Sequence, residues 1–98
     1  MYVKIHKKQG RTVIAIADKE IIGMKFEEGK FQLEVSEHFY KGEEKSEEEV
    51  IALLKEATNV NLVGKKSVAL AVKEGIIQEE NIIRIKKIPH ACILDFIK

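Results

Sequence analysis

Cysteine is almost missing from this sequence: Cys92 is the one thiol in 98 residues. A single cysteine closes no internal disulfide, and without a C-x-x-C pair neither a disulfide framework nor a cysteine-built zinc site is available. A reduced, intracellular setting is therefore expected. Proline occurs once, at Pro89, and there is no low-complexity tract and no internal repeat. No apolar run approaches the roughly 18 to 20 residues of a membrane span, and the opening M-Y-V-K-I-H-K-K lacks the apolar segment of a secretory leader. Both absences lead to the expectation of a cytoplasmic protein with no membrane partner. Asn and Gln total six against abundant Lys, Glu and Ile, a balance found in hot environments, where ion pairs are cheaper to desolvate. Val63-Gly64-Lys65-Lys66-Ser67 lacks the upstream glycine of a phosphate loop, and His6, His38 and His90 lack ligand spacing such as H-x-x-x-H. No metal and no cofactor are expected.

What is present describes a packed domain. Hydrophobic residues make up 45% and charged residues 34%, a balance that supports a core and argues against disorder. Residues 1–98 suffice for one domain and are too few for two. The net charge of +1 conceals a segregation: residues 1–19 carry +4, residues 20–50 carry ten Glu against four Lys, and residues 51–98 carry +3. Separate basic and acidic faces are one reading, the basic one being the footprint of a protein that meets a polyanion. The other is charge that simply solvates a small surface.

Residues 2–7 alternate, with Val3 and Ile5 on one side and Lys4 and His6 on the other, as in a half-buried strand. Residues 12–17 read as its partner, with Gly10 supplying the positive φ of a tight turn. After a connector from Asp18 to Gly23, a second hairpin is expected around Glu27-Glu28-Gly29-Lys30, with Phe31, Leu33 and Val35 facing inward. His38-Phe39-Tyr40 reads as extended, which sends its two rings to opposite sides, and a polar loop follows over 41–45. Ser46-Glu47-Glu48-Glu49 matches a capping box. Val50, Leu53, Leu54 and Ala57 then recur at helical spacing, predicting a helix over 47–58. Residues 59–64 read as a connection. Residues 65–74 fit either period, and Gly75 followed by Ile76-Ile77 decides for a helix with a left-handed end. Two last strands are expected over 82–87 and 91–96, separated by Pro89. The fold class is α+β: a single domain with a mostly antiparallel sheet from two N-terminal hairpins and a C-terminal strand pair, packed on two helices.

The strand periods carry the candidate site. Lys4, His6 and Lys8 share one side of the first strand, and Arg84 and Lys86 share one side of the penultimate strand. Were those strands neighbours, the five would form a basic sheet face with Arg11 at the turn, able to hold an RNA backbone by phosphate contacts. His90 and Cys92 fall on one strand face, where a histidine activates a thiol only if something orients it. Nothing in the sequence does, and a lone cysteine in an apolar strand reads as a small hydrophobe. Glu27, Glu28, Glu34 and Glu37 lack the apolar surround that an acid–base pair needs. No catalytic residue is assigned, and an enzyme using His90 with Glu37 would need the two to converge in a pocket.

Gly23 with Phe26-Glu27-Glu28-Gly29, Val35-Ser36-Glu37 with Phe39-Tyr40, and Ile88-Pro89-His90-Ala91 together resemble the signature stretches of a small archaeal family, domain-of-unknown-function family 424. The resemblance runs over nearly the whole chain and implies an archaeal source and a single-domain α/β fold. It supplies no activity and no site residues, and it suits a setting in translation or ribosome biology. The expected function is a non-catalytic accessory protein contacting ribosomal or other structured RNA through Lys4, His6, Lys8, Arg11, Arg84 and Lys86. The alternative is a protein-interaction module or homo-oligomer in which the acidic middle of one chain meets the basic face of another, or an exposed edge strand pairs.

Overall fold

The computed structural model describes residues 1–94. In chain order the elements are β1 (Tyr2–Lys8), β2 (Arg11–Ala17), a 3-10 turn (Lys19–Ile21), β3 (Lys25–Glu28), β4 (Phe31–Glu34) and α1 (Glu37–Tyr40). There follow β5 (Glu43–Glu44), α2 (Glu47–Glu56), β6 (Asn59–Val63), α3 (Lys65–Lys73), a second 3-10 turn (Glu79–Asn81), β7 (Ile83–Ile85) and β8 (Ile88–Leu94). The main sheet has the order β5-β1-β2-β6-β8-β7, and β2 with β6 is its one parallel pair among the described residues. The fold is therefore α+β with a mostly antiparallel sheet, as the periodicities predict. No helix among the described residues is long and apolar enough to cross a membrane.

The first hairpin closes through Gln9 at φ 51° and Gly10 at φ 76°, the pair of left-handed residues whose twist matches the strands. The second hairpin also forms, but as a two-stranded ribbon of its own rather than as part of the main sheet. Leu33 and Val35 are buried, whereas Phe31, expected inward, is 64% exposed. The ribbon packs against β7, an edge strand, so the end of the ribbon's inner face overhangs the sheet. His38-Phe39-Tyr40 is helical, not extended: the Ser36 hydroxyl accepts from the Phe39 N–H at 3.1 Å and opens the single turn of α1. Both rings then pack on the core side, Tyr40 buried and Phe39 half-buried.

The capping box is complete. Glu49 N–H donates to the Ser46 hydroxyl at 3.2 Å, and Ser46 N–H donates back to the Glu49 carboxylate at 3.0 Å. The Ser46 amide, then its hydroxyl, hold the Glu49 carboxyl below its usual range. Ser46→Ala is expected to cost about 1 kcal/mol in urea denaturation, with Ser46→Asp nearly neutral. The helix ends at Glu56 and α3 ends at Lys73, with Gly75 at φ 72° as expected of a left-handed terminus.

Two expectations fail in the C-terminal half. Residues 59–64, read as a connection, hold β6, which lies mid-sheet between β2 and β8. Its alternation is real, with Val60 and Leu62 buried on one face, but Asn59 and Asn61 hide it because asparagine is poor in strands. Pro89 does not separate the last two strands either; it lies inside β8, opposite Arg84, and its carbonyl accepts from Gly64 N–H at 2.9 Å. The turn falls instead at Lys86 and Lys87, both left-handed at φ 52° and 66°. The expected end of that strand near residue 96 lies outside the described residues.

The sheet is covered on both faces. Val3, Ile14, Ile16, Val60, Leu62 and Ala91 pack under Val50 and Leu54 of α2 and Val68, Leu70 and Ala71 of α3. On the other face Ala15, Ala17 and Val63 meet Leu33, Val35 and Tyr40, the small alanines letting α1 and the ribbon come close.

Candidate functional site

Strand order dissolves the basic face expected from Lys4, His6, Lys8, Arg11, Arg84 and Lys86. Three strands, β2, β6 and β8, stand between β1 and β7. The two sets also fall on opposite faces. By register Lys4 and His6 lie opposite Ala15 and Val13 on the α1 face, whereas Arg84 lies opposite Pro89 and shares a groove with α3. Lys4 donates to the His38 carbonyl, and His6 Nε2 donates to the Phe39 carbonyl at 2.8 Å with its ring stacked on Phe39 at 4.6 Å. Both side chains thus satisfy the last carbonyls of α1, a structural task. Lys8 and Arg11 stay exposed and paired across the first turn, while Lys86 lies in the second turn, its N–H donating to Glu28 at 3.0 Å.

The parallel pairing of β2 and β6 brings their carboxyl ends together, with Asp18 beside Gly64 and Asp18 N–H donating to the Val63 carbonyl at 3.1 Å. Asp18, 5% exposed, then caps α3 from 48 residues away. One carboxylate oxygen accepts Lys66 N–H at 2.9 Å, and the other accepts Ser67 N–H at 2.8 Å and the Ser67 hydroxyl at 2.7 Å. The anion-binding end of the helix is thereby filled from within the chain.

Held at this angle, α3 lies over β8 and leaves a groove of about 490 Å³ between itself and the β7–β8 hairpin. From the helix come Lys65, Val68, Ala69, Val72 and Lys73, one stripe at helical spacing. Opposite them stand Ile82, Arg84, Lys87 and Pro89, with Glu79 bonded to the Arg84 guanidinium at 2.6 Å. The floor is apolar and the rim carries four cations against one carboxylate among the described residues.

On the α1 face, Cys92 lies opposite Asn61 and its thiol donates to the Asn61 side-chain carbonyl at 2.8 Å. His90 Nε2 stands 3.9 Å from the sulfur. Desolvation pushes the Cys92 thiol up and the His90 imidazole down, so the neutral pair is favoured and no thiolate–imidazolium couple is prepared. Burial, with the Cys92 charge adding, pushes the nearby Tyr40 phenol up to about 12. Glu37 is exposed and pairs with Lys41 at 3.7 Å, and neither it nor His90 lines the groove. Alkylation of Cys92 by iodoacetamide should accelerate only above the ordinary thiol range; an inflection below roughly pH 7 would reveal an activated thiolate. Among the described residues no three His, Cys, Asp or Glu side chains converge as metal ligands.

A family model described as protein of unknown function (DUF424) matches residues 6–96. The chain belongs to this family. No curated protein matches it. Among solved structures, an uncharacterized conserved protein from Methanopyrus kandleri superposes with a TM-score of 0.73 at 22% identity, covering 99% of this chain and 96% of that one. That likeness concerns the fold.

Within this DUF424 fold, Arg84 is the one residue of the expected site that lines the groove. Lys65, Lys73 and Lys87 were not among the candidates. The helical stripe Lys65, Val68, Val72, Lys73 was a signal for two of them; Lys87 enters only because the turn falls at Lys86-Lys87.

Proposed function

We propose that this protein is a non-catalytic accessory factor in translation or ribosome biology, contacting structured RNA through the groove between α3 and the β7–β8 hairpin. One observation carries the reading: a chain of net charge +1 gathers Lys65, Lys73, Arg84 and Lys87 around a single groove. Cations so grouped neutralise neighbouring phosphates and release their counterions, a sequence-independent source of affinity. The test is binding of a fluorescent structured RNA across a salt series. Lys65→Glu with Lys87→Glu is expected to weaken binding at least about a hundredfold at 0.1 M salt and to lower the salt slope by about one unit per charge. Lys8→Glu with Arg11→Glu, on the far side of the sheet, should change it little. Thermal midpoints of both charge pairs, read by circular dichroism, separate a loss of binding from a loss of folding. Unchanged affinity in the groove pair would remove the proposal. In cell extract, the same reading predicts travel with ribosomal fractions that is released by salt or ribonuclease.

A second reading, self-association, draws on Phe31 at 64% exposure and Ile83 at 57%, on β4 and β7, two elements in contact. It predicts a mass that rises with concentration in sedimentation velocity, and a strict monomer at millimolar concentration would exclude it.

A further inference from the structure

We infer that the groove takes one unpaired nucleotide of that RNA, its base on the apolar floor and its flanking phosphates on the cationic rim; this rests on the RNA reading above. A surface that met only duplex phosphates would need no recess, because the phosphates of a helix lie on its outside. Here the recess is about 490 Å³, within the range of small-ligand pockets. Its floor is Val68, Val72, Ile82 and Pro89, of which Val68 and Pro89 are buried and Val72 and Ile82 half-buried. Apolar atoms at the bottom and charges at the lip match a flat aromatic base carried on an anionic backbone. A base reaches such a floor only when it has left its stack, as bases in bulges and loops do.

Arg84 adds the element of selection. Its guanidinium is held by Glu79 at 2.6 Å, at the wall of the groove. A planar cation so fixed can lie against a base or fork onto a phosphate, neither of which an ammonium does as well. Glu79 already offsets part of the Arg84 charge, so the phosphates fall chiefly to Lys65, Lys73 and Lys87 around the rim. Among the described residues no aromatic side chain lines the recess, so a base there meets aliphatic carbon and the Arg84 guanidinium, and the preference for a free base is modest.

The test compares two hairpin RNAs with the same stem, one fully paired and one with a single bulged nucleotide, by fluorescence anisotropy at fixed salt. The bulged RNA is expected to bind about tenfold tighter. Ala69→Met, from an exposed position on α3 that lines the recess, fills it with an aliphatic chain and should erase that difference, whereas Lys8→Glu with Arg11→Glu, outside the groove, should preserve it. Ala69→Leu, a shorter filling, serves if the methionine variant is poorly folded by circular dichroism. Equal binding of the two RNAs, still sensitive to Lys65→Glu with Lys87→Glu, would overturn the single-nucleotide pocket and leave the RNA surface standing. Insensitivity of both RNAs to that charge pair would overturn both. Displacement of the bulged RNA by adenosine monophosphate at equal concentration would reassign the groove to free nucleotide. Equal displacement by a short Glu- and Leu-rich peptide would reassign it to an acidic protein segment. Either result overturns the inference.

Discussion

Gly64→Ala is expected to lower the unfolding free energy by about 4 kcal/mol, moving the thermal midpoint of a domain this size down by more than roughly 15 °C. Two separate costs add. Gly64 sits at φ 111° and ψ 155°, a conformation closed to side-chain-bearing residues at about 1 to 3 kcal/mol. A Cβ there would also lie 2.3 Å from the Asp18 carboxyl carbon and 2.6 Å from both its oxygens. The carboxylate cannot yield without leaving the Lys66 and Ser67 donors it holds, and each buried donor left unpaired costs about 1 to 3 kcal/mol. Urea denaturation measures the sum. A loss below about 1 kcal/mol would mean that the β6–α3 junction yields far more readily than its packing implies.

Asp18→Ala is expected to cost about 3 kcal/mol by the same measurement, through the other half of the junction. It strips the partners from two amides and the Ser67 hydroxyl and removes the negative charge from the start of α3. Asp18→Asn separates the contributions: its oxygen can keep Ser67, but its amide nitrogen faces Lys66 N–H donor to donor, and a loss nearer 2 kcal/mol follows. The cycle closes with Asp18→Ala/Gly64→Ala. The double variant should lose at least about 1 kcal/mol less than the sum of the singles, because the added methyl then enters space that the carboxylate has left. Strict additivity would separate the two residues energetically and refute this account of the junction.

The features legible in the sequence are those whose causes lie within a few residues. Ser46 and Glu49 are three apart, Gln9-Gly10 acts on its own flanking strands, and Gly75 closes the helix it follows. Asp18 reaches Ser67 across 49 positions, so nothing in either neighbourhood marks them as partners. The same limit governed the candidate site. Period two correctly put Lys4, His6 and Lys8 on one side of their strand, but it says nothing about which strand lies alongside, and β7 proved to be at the far edge. The polar side chains of Asn59 and Asn61 concealed the strand that sets this order. Conversely, the stripe of Lys65 and Lys73 on α3 was visible as helical spacing, and only the docking of the last hairpin made it one wall of a groove.

The parallel contact of β2 with β6 has a kinetic consequence as well. Ile14 meets Val60 and Ala17 meets Val63 only after the ribbon, α1, β5 and α2 have been threaded between them. The first hairpin and α2 rely on near neighbours and can form early, while that long closure must lose its chain entropy before any contact repays it. Refolding should therefore be limited by the arrival of β6, in the millisecond range or slower rather than microseconds. In that interval β2 presents an unpaired edge of small and branched residues to any other chain still folding, so the molecule is most prone to aggregate before its central strand has arrived.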